Sequence, residues 1–200
     1  IALADLRIMG IVSAIGRELT EGEIRQFETA EGVILDEAIY YDIIFQKTAV
    51  LFASCARIAG IMTGASTPDK ERLTQIGEYL GMAFQIRDDI FDYHRSDVGK
   101  PTGNDIREGK ITLPLLHVLT ELQKEGKAAP YLQLLEEKPI AEESIECLTT
   151  LAHEGGGMDY AWQRLYHYID EAKTLLLSFP ESVYRSSLID LADYIAERTI

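Results

Sequence analysis

The stretch GMAFQIRDDIFDYHRSDVGKPTGNDIREGKITLPLL (81–116) decides the fold. Apolar residues surround its aspartates on both sides, with Leu80, Met82, Ala83, Phe84 and Ile86 before them and Ile90 and Phe91 among them. That pattern predicts a helix, and SerThrProAsp at 66–69 supplies its N-cap and first-turn proline. The spacing therefore predicts a helix from about residue 69 to Tyr93. A polar, Gly-rich stretch follows over 94–110, and ThrLeuPro at 112–114 opens a further helix. Asp88, Asp89 and Asp92 form a DDxxD sequence near the end of the first helix, so Asp88 and Asp92 share one face, with Gln85 a turn earlier and Asp89 flanking. Like charges at that spacing destabilise an isolated helix, and aspartate is a poor helix former. The three carboxylates are read either as a solvated acidic face or as ligands for a hard, oxygen-seeking cation such as Mg²⁺.

Helical periodicity continues on both sides. Residues 1–30 place Leu6, Met9, Ile11, Ile15 and Leu19 at spacings of two to four. Over 33–64 a stripe runs through Tyr40, Ile44, Lys47, Leu51, Cys55, Ile58 and Met62 at steps of four and three. Further helices are predicted near 113–125, 128–136, 141–153, 158–178 and 181–198. ProIle at 139–140, the GlyGlyGly of 155–157 and Phe179-Pro180 punctuate them. No segment alternates strictly around a tight-turn dipeptide, so no sheet is expected. The reading is all-α, a compact multi-helix bundle over 1–200 as one domain, with its site built from facing helices.

Composition narrows the function. The 200 residues are 46% hydrophobic and 26% charged, the balance of a globular chain. Asp and Glu total 33 against 19 Lys and Arg, a net charge of −14. That argues against binding nucleic acid or an anionic membrane surface, both of which need basic patches. Cys55 and Cys147 form no CxxC pair and suggest a reducing, cytoplasmic setting. The histidines (His94, His117, His153 and His167) lack zinc-binding spacing. No apolar run is expected to reach the roughly 18 residues of a membrane span. The chain starts without Met and without the basic opening of a signal peptide. It is expected to be a piece of something longer.

Charge is nearly balanced between residues 81 and 120, where both signs crowd together, and the chemistry is sought there. Lys100 and Lys110 each follow a glycine, which permits close backbone approach. Lysines facing a carboxylate–magnesium cluster would cradle a diphosphate. They could equally be exposed loop residues paired with Asp105, Glu108 or Arg107. Lys47 interrupts an apolar stripe, with Thr48 beside it. Such a lysine either snorkels to the surface or answers a buried negative charge. GlyGlyGly at 155–157 follows no strand and reads as a helix break. Trp162, Tyr160, Tyr166 and Tyr168 read as packing.

Residues 84–93 (FQIRDDIFDY) and 98–116 (VGKPTGNDIREGKITLPLL) together resemble the second aspartate-rich region of the trans-isoprenyl diphosphate synthases. GlnLysThrAla at 46–49, preceded by TyrTyrAspIleIle, is similar to that family's Lys-Thr pair. GlyGlu at 22–23 and GlyGlyMetAspTyrAla at 156–161 also match. The resemblance covers essentially the whole chain in the same order. It implies an all-α isoprenoid-synthase-type bundle with a central cavity, acting as a homodimer. The implied reaction is head-to-tail condensation of isopentenyl diphosphate onto an allylic diphosphate, giving an all-trans polyprenyl diphosphate of medium or long chain. Asp88 would be the principal Mg²⁺ ligand, with Asp89 and Asp92 completing the site directly or through water. Lys47 and Lys100 would hold the allylic diphosphate, with Thr48 and Gln85 beside it. Lys110 would bind diphosphate too and, with Asp105, order the closing loop. The chain lacks the family's first aspartate-rich motif, so it is expected to correspond to the C-terminal portion and to be inactive alone. The weighed alternatives are a non-catalytic or regulatory subunit of a heteromeric synthase and a terpene cyclase. The intact DDxxD and lysines argue against the former. The Gly-Lys loop and Lys-Thr pair fit the latter poorly.

Overall fold

The computed structural model describes residues 5–94 and 103–197. Among them the regular structure is helical: α1 (Leu6–Gly32), α2 (Glu37–Ile44), α3 (Val50–Met62), α4 (Thr67–Asp92), α5 (Asn104–Arg107), α6 (Leu113–Lys124), α7 (Ala129–Glu136), α8 (Glu142–Glu154), α9 (Gly157–Leu177) and α10 (Val183–Glu197). The all-α expectation holds, and α4 and α6 begin and end within two residues of the predicted limits. Gly155 and Gly156 separate α8 from α9, which opens on Gly157, so the expected helix break is present.

The chain divides into two compact units. Unit 1 comprises residues 1–23, 42–85 and 165–200, and unit 2 comprises 24–41 and 86–164. In unit 1, α3 and α4 cross without side chains between them. A Cβ on Gly77 would lie 2.5 Å from the Phe52 carbonyl oxygen, and one on Gly81 would lie 2.5 Å from Ala49 Cα. Phe52 and Phe84 pack ring to ring at 5.4 Å beside this contact. Lys173 pairs with Asp193 between α9 and α10. In unit 2, α6 lies against α8, and Leu113, Leu115, Leu116, Leu119, Ile145 and Leu148 are buried. Arg87 stacks between the rings of Phe91 and Trp162, at 4.1 and 4.3 Å from their centroids. Trp162 is therefore a packing residue, and its cation–π contacts suit a guanidinium that is only 5% exposed.

Two expectations are corrected. The stripe predicted over 33–64 breaks after Ile44, because a π-helical turn, Phe45–Ala49, joins α2 to α3. One extra residue in a turn rotates everything after it by about 100°. Tyr40 and Ile44 are buried as predicted, but Leu51 and Met62 are 48% and 59% exposed and Cys55 is exposed too. Val50, Ala53, Ser54 and Gly60 face inward instead. The second correction concerns length. Because helical backbone continues through the π-turn, Glu37–Met62 forms one 26-residue run that is long and apolar enough, by length and composition, to cross a membrane. Scanning for uninterrupted apolar runs misses it, since Asp42 and Lys47 divide them. Burial of Tyr40, Ile43, Ala49 and Ala53 accounts for much of this apolarity.

Candidate active site

In unit 1 the site begins with the π-turn, which holds Gln46, Lys47 and Thr48. π-Turns inside α-helices are rare and concentrate at functional positions. Gly22 on α1 makes room for this one: a Cβ there would lie 2.8 Å from Gln46 Cβ and 2.9 Å from Lys47 Cγ. The next residue, Glu23, holds Lys47 Nζ at 2.5 Å, and Gln46 donates to Glu18 across 3.2 Å. Lys47 is thus paired with a largely exposed carboxylate on α1. On α4, Gly77, Gly81 and Gln85 stand one turn apart, and the glycines bring the helix close enough for Thr48 to donate to Gln85 Oε1 at 2.6 Å. Lys47, Thr48 and Gln85, predicted together, are assembled by α1, the π-turn and α4.

In unit 2 the three aspartates have different surroundings. Asp88 is exposed. Asp89 is 5% exposed, and its Oδ2 accepts the hydroxyl of Tyr40, itself 7% exposed, at 2.7 Å. Burial, then the Asp89 charge, pushes the Tyr40 phenol well above its ordinary range, so the proton stays on the tyrosine. Asp92 caps α5: Oδ1 accepts from the Asn104 backbone N–H at 3.0 Å and Oδ2 from that of Asp105 at 2.9 Å. Gly103, just before α5, has φ +74°, and a Cβ there would also meet Ile145 at 2.5 Å.

The capped turn leads to a small charge cluster. Lys110 lies 2.6 Å from Glu108 and 3.4 Å from Asp105. Burial alone would press the Lys110 ammonium down, but Glu108 and Asp105 together outweigh it and raise its pKa. Burial and the nearby Asp92 carboxylate push Asp105 up, with Lys110 opposing them. The loop-ordering pair predicted from sequence is thus in contact. Lys100 lies outside the described residues.

Among the described residues no three acidic, histidine or cysteine side chains converge as a ready-made metal centre. Mg²⁺ does not need one, since it takes one or two carboxylates and completes its shell with water and substrate phosphates. An exposed carboxylate beside two that are fixed by hydrogen bonds fits that requirement. An open cavity of about 730 Å³ in unit 1, lined by Arg7, Ile11, Arg57, Ile61, Lys70 and Gln75 among others, contains none of the predicted site residues.

The profile described as "Polyprenyl synthetase" matches residues 2–152. The chain belongs to the polyprenyl synthetase family. Octaprenyl diphosphate synthase of Haemophilus influenzae is 34% identical over 200 residues, which is 98% of this chain and 60% of that protein. The geranylgeranyl pyrophosphate synthase structure from Bacteroides thetaiotaomicron superposes with a TM-score of 0.87 at 36% identity, over 97% of this chain and 64% of that one. A polyprenyl synthase from Caulobacter crescentus, crystallised with calcium and isoprenyl diphosphate, gives 0.83 at 31% identity, over 97% and 60%. The chain thus spans about three fifths of the length of these polyprenyl synthetase relatives.

Spacing alone missed Glu23 and Tyr40 as partners, whereas Glu108 was named as a candidate partner of the lysines and does pair with Lys110. Glu23 carried one signal, its position after Gly22 in a segment that already matched the family. Tyr40 carried none, because it sits 49 positions from Asp89.

Proposed function

We propose that this chain is part of a Mg²⁺-dependent prenyltransferase that condenses isopentenyl diphosphate head-to-tail with an allylic diphosphate. The observation that carries this reading is the end of α4, where an exposed Asp88 stands beside Asp89 and Asp92, both fixed by hydrogen bonds. A bound divalent cation would neutralise diphosphate charge as the allylic carbon–oxygen bond ionises. Asp88 would hold it, with Asp89 beside it. Lys47, kept in place by Glu23, would bind diphosphate oxygens, and the Thr48–Gln85 pair would orient the allylic group next to it. Lys100 is assigned to the same diphosphate. Asp105 and Lys110, ordered from Asp92, would close over the leaving group and keep water away from the carbocation. Membership of the polyprenyl synthetase family supports the substrate class.

The same reading makes the protein a homodimer. Its support is the apolar surface of α1, where Leu6, Met9, Val12, Ile24 and Phe27 are each more than half exposed. Activity is assigned to the natural-length gene product. The test is a condensation assay on that product with farnesyl diphosphate, isopentenyl diphosphate and Mg²⁺, with products sized by mass spectrometry. Magnesium-dependent elongation is expected, and the mass gives the number of isoprene units. A folded protein that elongates no allylic primer would overturn the reading in favour of a subunit that needs a partner.

A further inference from the structure

Tyr40, the buried partner of Asp89, has no part in the roles assigned so far. A carboxylate at 5% exposure costs several kcal/mol to bury unless donors satisfy it. A phenol is an unusual donor to choose, since backbone N–H groups serve Asp92 only three residues away. Tyr40 is itself rigidly placed: it is 7% exposed, lies on α2 and meets the Tyr41 ring edge-on at 5.4 Å. Its hydroxyl reaches Oδ2 at 2.7 Å, the short length of a charge-assisted bond. Asp89 therefore has one oxygen held from α2 by a residue remote from it in sequence.

We propose that Tyr40 is a positioning residue for divalent-cation binding, acting through Asp89. It touches neither substrate nor cation. Its hydroxyl holds Asp89 Oδ2 in one orientation, so a cation reaching the end of α4 meets a carboxylate whose position is already set. This assignment rests on the cation-binding role proposed above for the DDxxD sequence.

The test uses the natural-length protein, with Mn²⁺ as probe in the presence of inorganic pyrophosphate. Binding is followed by electron paramagnetic resonance of free Mn²⁺, and folding by thermal melting. Tyr40→Phe keeps the ring and its packing and removes only the donor. It should weaken Mn²⁺ binding about tenfold with little change in melting temperature. Asp89→Ala should weaken binding at least as much, and adding Tyr40→Phe to it should change nothing further, because the two act as one unit. Unchanged Mn²⁺ affinity in Tyr40→Phe overturns the proposal, as does full additivity in the double variant. If Tyr40→Phe does not fold, Asp89→Asn decides, since it keeps an acceptor for Tyr40 but lacks the charge. Wild-type affinity in that variant overturns the proposal equally. Failure of the unaltered protein to bind Mn²⁺ is a different outcome, which removes the cation reading itself.

Discussion

Three aspartates within five positions look equivalent in the sequence, yet Asp88 is exposed, Asp89 accepts from a buried phenol and Asp92 caps a helix N-terminus. Their substitutions should differ accordingly. Asp88→Ala removes an exposed charge from a helix already crowded with like charges, so far-UV circular dichroism and the melting curve should stay close to wild type while turnover is lost. Normal condensation activity in that variant would remove Asp88 as the cation ligand. A second single-residue prediction concerns backbone. Val33 follows α1 with φ 48°, in the left-handed region where a β-branched side chain is strained by about 1–2 kcal/mol. Val33→Gly should relieve that strain and lose part of the gain to unfolded-state entropy. The expected result is a gain of up to about 1 kcal/mol in denaturant unfolding. A loss of stability would show that Val33 contributes more through packing than its backbone costs.

At the scale of elements, the π-turn is the feature that places Lys47 and Thr48 in unit 1, and Gly22 is its counterpart on α1. A methyl group at Gly22 would come within 2.8 Å of Gln46 Cβ, which is not the free end of a flexible side chain. Gly22→Ala should therefore displace the turn, costing about 1–3 kcal/mol of stability. It should also raise KM for the allylic diphosphate, because Lys47 moves with the turn. A melting temperature lowered alone, with KM unchanged, would mean that the turn does not locate Lys47. The same element marks where sequence stops being informative. Caps, prolines and periodicity place α4 and α6 to within two residues, since those signals act within a few positions of each other. A π-turn has no propensity of its own; it forms because Gly22, Glu23 and Glu18 on another helix hold Gln46 and Lys47. The stripe drawn through Leu51, Cys55 and Met62 assumed uninterrupted 3.6-residue turns and so placed those residues on the wrong face. Lys47, Thr48, Gln85 and the aspartates were legible as chemistry, whereas Glu23 and Tyr40, which hold them, are contacts between distant segments.

Across the whole molecule, the raised phenol pKa values are unevenly distributed. Tyr40, Tyr41, Tyr93 and Tyr160 lie in unit 2, whereas Tyr79, also raised chiefly by burial, lies in unit 1. Burial is the largest cause at each: it pushes Tyr40, Tyr41 and Tyr93 well above the ordinary phenol range and brings Tyr160 to about 12, with the Glu37 acceptor adding to the last. An acid whose folded pKa lies above its unfolded value of about 10 keeps its proton in the folded chain after the unfolded chain would lose it. The folded state then binds more protons than the unfolded one, so stability is fully present below pH 10 and falls as pH rises from 10 toward 12 and beyond. Unit 2 should therefore be the part that alkali dismantles. Trp162, the one tryptophan of the chain, belongs to it and stacks on Arg87. In an alkaline titration the Trp162 emission maximum should move to the red together with the rise in tyrosinate absorbance. Tyr160→Phe, which removes one proton from the balance, should make the loss of stability between pH 10 and 12 less steep. If instead the tyrosinate signal reaches full amplitude at pH 11 while Trp162 emission stays in place, the phenols ionise within an intact unit 2. The burial that sets their pKa values would then not be coupled to its folding.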